Sequence, residues 1–177
     1  MKDLSEEKQK LIKDLVKNKK FHQLEFEVNS LLLEQRSSFL LNLLGVCKIS
    51  KIPTSKKDIN ESLDLFKEAY LKDKTLIDAL FNYAEISIRL LKYAEAKDLL
   101  IEYLNKKEYD YKATLSLGRI NFYLGNMDEC LVNYKKIIDN NEANSKLWSA
   151  FIFTTNYTYK YNQKDYLNFC HKYSEKL

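Results

Sequence analysis

Leu80, Thr114 and Trp148 stand 34 residues apart, and the same step joins Ala84 to Gly118, Tyr93 to Met127, Ala96 to Cys130 and Leu100 to Tyr134. Self-similarity at this period restricts a chain to a stack of like units, none of which buries its apolar side without a neighbour. Within a period the apolar residues follow helical spacing. Leu80, Tyr83, Ala84, Ser87 and Leu90-Leu91 fall on a first helix, and Ala96, Leu99-Leu100 and Tyr103-Leu104 on a second. Ala84 and Gly118 predict a close crossing of the two helices, Ala96 and Cys130 a matching small slot, and Leu100 and Tyr134 the filling between successive units. Leu91-Lys92-Tyr93 and Leu124-Gly125-Asn126-Met127 read as turns inside a hairpin, with Gly125-Asn126 supplying a left-handed helix stop.

Composition agrees with helices and argues against sheets. A sandwich or doubly wound sheet of 177 residues needs many tight turns, and three Gly with one Pro cannot supply them. A 45% hydrophobic share is too high for disorder, and the 31% charged share argues against a membrane bundle. Apolar runs such as Leu31-Leu32-Leu33 and Phe39-Leu40-Leu41 fall far short of the ~18 residues of a membrane span. The N-terminus, Lys2-Asp3 followed by Glu6-Glu7-Lys8, lacks the basic-then-apolar order of a signal sequence and predicts a cytoplasmic protein. The three widely spaced cysteines, Cys47, Cys130 and Cys170, fit reduced thiols better than a disulfide framework or a zinc site.

An earlier unit carries Leu44-Gly45 on its first helix and Ser62, Phe66 and Ala69 on its second. Ser62 follows Gly45 by 17 residues where Cys130 follows Gly118 by 12, so an enlarged turn is expected around Lys51 to Asp58, marked by Pro53 and its charges. These slots resemble the tetratricopeptide repeat family. The unit with Leu117-Gly118, Leu124-Gly125-Asn126-Met127, Cys130 and Tyr134 is the nearest match, followed by Ala79-Leu80, Tyr83-Ala84, Tyr93 and Ala96. Lys74, Glu108 and Glu142 stand where the family usually has Pro. The resemblance implies an all-α, right-handed superhelical array of helical hairpins, an α-solenoid. Its expected parts are a degenerate N-terminal hairpin or cap over residues 1–37, three repeat units over 38–144, and over 145–177 a further first helix plus a capping or junction helix.

The tail is also similar to the junction at which the repeats of bacterial O-GlcNAc transferase-like glycosyltransferases enter their catalytic lobes. The residues that carry this are Trp148-Ser149-Ala150-Phe151-Ile152-Phe153-Thr154-Thr155-Asn156-Tyr157, Asp165-Tyr166-Leu167 and His171-Lys172-Tyr173. The chain would then be the repeat half of a larger enzyme, cut off at Leu177 just before the first lobe.

No residue set for catalysis stands out. His171 has only His22 for company, and a lone helical histidine more often makes a local hydrogen bond than a ligand or base. Cys170 and His171, adjacent on a helix, point about 100° apart and cannot converge on one metal. Gly45, Gly118 and Gly125 are isolated, which leaves no phosphate-binding loop. Acidic pairs such as Glu6-Glu7 and Asp58 with Glu61 lie near expected helix starts, where they favour the helix dipole. The interleaved Tyr157, Tyr159, Lys160, Tyr161, Lys164 and Tyr166 could stack single-stranded nucleic acid, but packing is the stronger explanation of tyrosines in repeat hairpins. No cofactor, metal or membrane association is expected, nucleic acid is not favoured as a partner, and the oligomeric state is open.

Two functions remain. The first is a non-catalytic interaction and scaffold module holding a peptide or helix of a protein partner in a groove lined by first helices. By the resemblance, its groove residues are Asn42, Val46, Asp78, Phe81, Asn82, Glu85, Arg89, Lys112, Leu115, Arg119, Phe122 and Lys146. In glycosyltransferase relatives an Asn ladder grips the peptide backbone at one of these slots. Only Asn82 falls there, with Leu43, Ser116 and Ala150 in the other units, so affinity would rest on aromatic and Arg side chains. The alternative is the substrate-recognition part of an O-GlcNAc transferase-like enzyme using a UDP-linked N-acetylglucosamine donor. In that case these residues alone would neither bind UDP nor transfer sugar.

Overall fold

The computed structural model describes residues 4–175, and the expectations touching Lys2, Asp3 and Leu177 lie outside them. The described residues form ten helices and no strand: α1 (Glu6–Lys17), α2 (Phe21–Glu34), α3 (Ser38–Ile49), α4 (Lys56–Lys72), α5 (Ile77–Arg89), α6 (Tyr93–Lys106), α7 (Tyr111–Tyr123), α8 (Met127–Asp139), α9 (Ser145–Thr155) and α10 (Gln163–Ser174). They fall into two compact units, one ending at Leu90 and the other beginning at Leu91. The first unit holds α1 to α5 and the second α6 to α10, and within each unit every helix packs on its neighbours in the chain.

The linkers close in two main ways. Three of the four three-residue linkers turn on a left-handed residue. After α1 and α7, Lys19 and Gly125 take φ of 54° and 79°. At each end two backbone N–H groups reach back to the last turn, Lys20 to Leu15 and Lys19 to Val16, Asn126 to Asn121 and Gly125 to Phe122, which satisfies orphan carbonyls. Leu91, one period before Gly125, has φ of 59°. The helices that follow these turns begin at Lys20, Lys92 and Asn126 without a side-chain cap. The linkers before α3, α4, α7, α9 and α10 end on a capping side chain, the one before α9 after a left-handed Asn141 with φ of 56°: Ser37, Ser55, Asp110, Asn144 and Asn162 each accept the backbone N–H three residues on. The two longest linkers within a helix pair, before α4 and before α10, close on full capping boxes, Ser55 with Asp58 and Asn162 with Asp165.

The enlarged turn before α4 is fixed by charges as well as by this cap. Glu25 of α2 takes Lys48 and Lys51, each at 3.2 Å; Lys51 also reaches Asp58 at 3.2 Å and Lys48 reaches Glu61 at 2.7 Å. The ion pairs thereby join α2, α3, the turn and α4.

The slots expected to be small are buried: Ser62, Ala84, Ala96 and Cys130 are all 0% exposed. Close crossing is real at two glycines. A Cβ on Gly45 would fall 2.5 Å from the Phe66 ring, and one on Gly118 would fall 2.6 Å from the Tyr134 ring. Tyr134 therefore works inside its own hairpin, over Gly118, as well as in the packing between α8 and α9 expected of it. In the first unit the core gathers Ile12, Leu15, Leu24, Val28, Leu40, Leu44 and Cys47. In the second, Cys130, Tyr134 and Ile137 pack with Leu147, Trp148 and Phe151.

The tail residues have packing roles. α10 lies on α9. Tyr173 stacks on Trp148 at 6.2 Å, and Phe169 meets Phe151 and Tyr161 edge-on at 5.0 and 5.2 Å. Thr154 and Thr155 donate their hydroxyls to Ala150 and Ile152 carbonyls of their own helix. These contacts give packing roles to several of the residues that resembled a glycosyltransferase junction, and that resemblance finds no support.

Candidate functional site

In the first unit the expected groove residues sit on α3 and α5. Asn42 and Val46, four apart on α3, are half-buried; so are Phe81, Asn82 and Glu85 on α5, while Asp78 and Arg89 are exposed. Spacings of three and four along α5 place Asp78, Phe81, Asn82, Glu85 and Arg89 on one side of that helix. The two asparagines meet: the Asn82 amide donates to the Asn42 side-chain oxygen at 2.9 Å. One donor of the single Asn at the family's gripping slot is thus engaged by its neighbour.

In the second unit the corresponding side is built by α7 and α9. Lys112 and Arg119 are exposed on α7, Leu115 and Phe122 are half-buried there, and Lys146 is exposed on α9. Leu115 and Phe122 rest on the core that α8 and α9 share. Leu115, Arg119, Lys146 and Ala150 surround a small cleft of about 90 Å³, floored by Tyr134 and Leu147. The structure thus brings Leu115, Arg119 and Lys146 together, and Asn42 with Asn82.

Sequence reasoning missed the aromatic continuation of this side. Phe122 lies 6.4 Å from Phe153, Phe153 lies 5.1 Å from Tyr157, and Tyr123 stacks on Tyr93 at 5.1 Å. Phe153 is one period after Arg119, and Tyr157 one period after Tyr123 and two after Arg89, so carrying the slots one step further finds both.

The chemistry-bearing residues elsewhere are quiet. Burial, helped by the Glu25 charge, pushes the Cys47 thiol up to about 12, and burial pushes Cys130 up to about 11, so neither is a thiolate at neutral pH. Burial also raises the Tyr134 phenol. Cys170 packs against the α8–α9 core, and His171 is exposed in the last turn of α10. Among the described residues no group of three or more His, Cys, Asp or Glu could hold a metal ion. No helix among them is long and apolar enough to cross a membrane.

Solved structures resemble the chain over nearly its whole length. One of MamA superposes with a TM-score of 0.77 at 15% identity, covering 96% of this chain and 89% of that one. MamA from Desulfovibrio magneticus gives 0.76 at 12% identity, covering 95% and 92%. A tetratricopeptide repeat protein from Parabacteroides merdae gives 0.74 at 16% identity, covering 97% of this chain and 66% of that one. The fold is that of a tetratricopeptide-repeat protein. At such identities the likeness is one of fold, which sites on its surface can turn to many uses. No family model matches the sequence, and no curated protein matches it.

Proposed function

We propose that the chain is a non-catalytic interaction module that holds a peptide or a helix of a protein partner against the first helices of its hairpins. The observation that carries this is the side presented by α7 and α9. Leu115, Phe122 and Phe153 offer apolar surface there, Arg119 and Lys146 offer charge, and a cleft opens between them. Large apolar and aromatic groups beside Arg are the side chains that dominate protein interfaces. Helical hairpins in a repeat fold supply such surfaces on rigid elements.

The test is site-specific photo-crosslinking from position 115 in the cells that make the protein, followed by identification of the captured chain. Capture of a defined protein that disappears in the Arg119→Ala/Phe122→Ala double variant supports the reading. Equal capture by that variant, with its helical spectrum unchanged, removes this surface from consideration.

A further inference from the structure

α7 and α9 contain no Asp or Glu. Asp78 and Glu85 of α5 are replaced one period later by Lys112 and Arg119 of α7, and Lys112 by Lys146 of α9 a period after that. Lys112, Arg119 and Lys146 are exposed, and none is in an ion pair among the described residues. The acidic groups at the starts of α7 and α9 are engaged, while Asp128 and Glu129 at the start of α8 line a separate cleft beside Tyr157, Asp128 accepting the Thr158 hydroxyl. Asp110 holds Lys107 at 2.7 Å while capping α7, and Glu142 accepts the Tyr109 hydroxyl at 3.0 Å. Three unpaired cations therefore share a side with aromatic rings that stay in solvent, Phe153 at 51% and Tyr157 at 56% exposure.

We infer that this side binds an extended acidic segment of a protein partner that also carries a large apolar side chain. The inference rests on the interaction-module reading and specifies the chemistry of the partner. Carboxylates would meet Lys112, Arg119 and Lys146, and the apolar side chain would cover Phe153 and Tyr157. A basic segment would leave the three cations facing like charge, so charge complementarity selects the acidic one. A nucleic acid fits less well. The Phe122, Phe153 and Tyr157 rings are tilted by 46° and 57° to one another and form no parallel platform for successive bases. Three cations over two helices are also sparse beside a backbone with one charge per nucleotide.

A random-sequence peptide library displayed on phage, selected against the immobilised full chain at low salt, tests this. Synthetic copies of the enriched peptides are then titrated by fluorescence anisotropy. The expected result is enrichment of net-acidic sequences containing Phe, Trp or Leu. Their affinity should fall at least ~10-fold in the Arg119→Glu/Lys146→Glu variant, whose circular dichroism stays unchanged. Neutral or basic peptides that bind this variant normally but fail on Phe153→Asp would overturn the acidic assignment and leave the interaction module standing. If no peptide is enriched, or binding is insensitive to both variants, both readings fall. Tighter binding of a single-stranded oligo(dT) than of the acidic peptides, abolished by the charge reversal, would give the face to nucleic acid and overturn the inference.

Discussion

Gly118 and Gly125 stand seven residues apart on the same hairpin and are glycines for different reasons. At Gly118 a Cβ would fall 2.6 Å from the Tyr134 ring, whereas at Gly125 nothing lies within 4 Å and only the φ of 79° favours glycine. Gly118→Leu should therefore lower stability by ~1–3 kcal/mol or more through overpacking. Gly125→Leu should cost only ~1 kcal/mol, the left-handed backbone penalty that Leu91 already bears one period earlier. Urea denaturation of the two variants measures the difference, and equal midpoints would reject the close crossing. The repeat also exposes a misfit. Leu80 and Trp148 are apolar where Thr114, 1% exposed, carries a hydroxyl with no hydrogen-bond partner. Thr114→Val should raise stability by ~1 kcal/mol, and a lowered midpoint would mean the hydroxyl has a partner in solution. Such buried slots were legible because burial recurs with the period. The missing partner was not, since hydrogen bonding of a side chain depends on atoms from other helices.

Among the described elements, the linker before α4 holds the carboxylate lowered the most, and its stability follows pH. The Asp58 carboxylate accepts hydrogen bonds from the Ser55 hydroxyl and backbone and from Lys51, and these hold it at about 2. An unfolded Asp titrates near ~3.9. Because the folded value is the lower one, the stabilisation is fully present above the unfolded pKa and is lost as pH falls through the folded one. Glu61, lowered chiefly by its hydrogen bond to Lys48, acts in the same direction. The melting temperature of the protein should fall on acidification from about pH 4 towards about 2, and Asp58→Asn should flatten that dependence. Identical pH profiles of the melting temperature would show that the cap does not contribute. Pro53 and the surplus residues revealed the enlarged turn in the sequence. Its ties to Glu25 and Lys48 were hidden, because a period reports which positions are buried and says nothing about which charges pair. The turn at Leu91 was legible as a turn, but its left-handed backbone and that of Lys19 were hidden, since neither residue is the Gly or Asn that usually marks such a conformation.

At the scale of the molecule, the 34-residue step made the fold class legible before any helix was placed, and the candidate positions Leu115, Arg119 and Lys146, named by the repeat resemblance, line one cleft. The helix expected to cap or continue the array, α10, begins at Gln163, two residues past the register set by Met127, while Tyr161 at that register already packs on Phe151 of α9. Helices that pack on their chain neighbours distribute stability as a sum of local contributions, so damage should stay near its origin. Leu24 offers a clean test. It is 0% exposed in the core that α1, α2 and α3 share, and Leu24→Ala should remove ~2–5 kcal/mol by leaving a cavity there. Hydrogen exchange followed by mass spectrometry should then show protection lost most in α1 and α2, less in α3, and unchanged in α9 and α10. A uniform loss across all ten helices would mean that the chain unfolds as one cooperative block, and the picture of stability spread hairpin by hairpin would have to be abandoned.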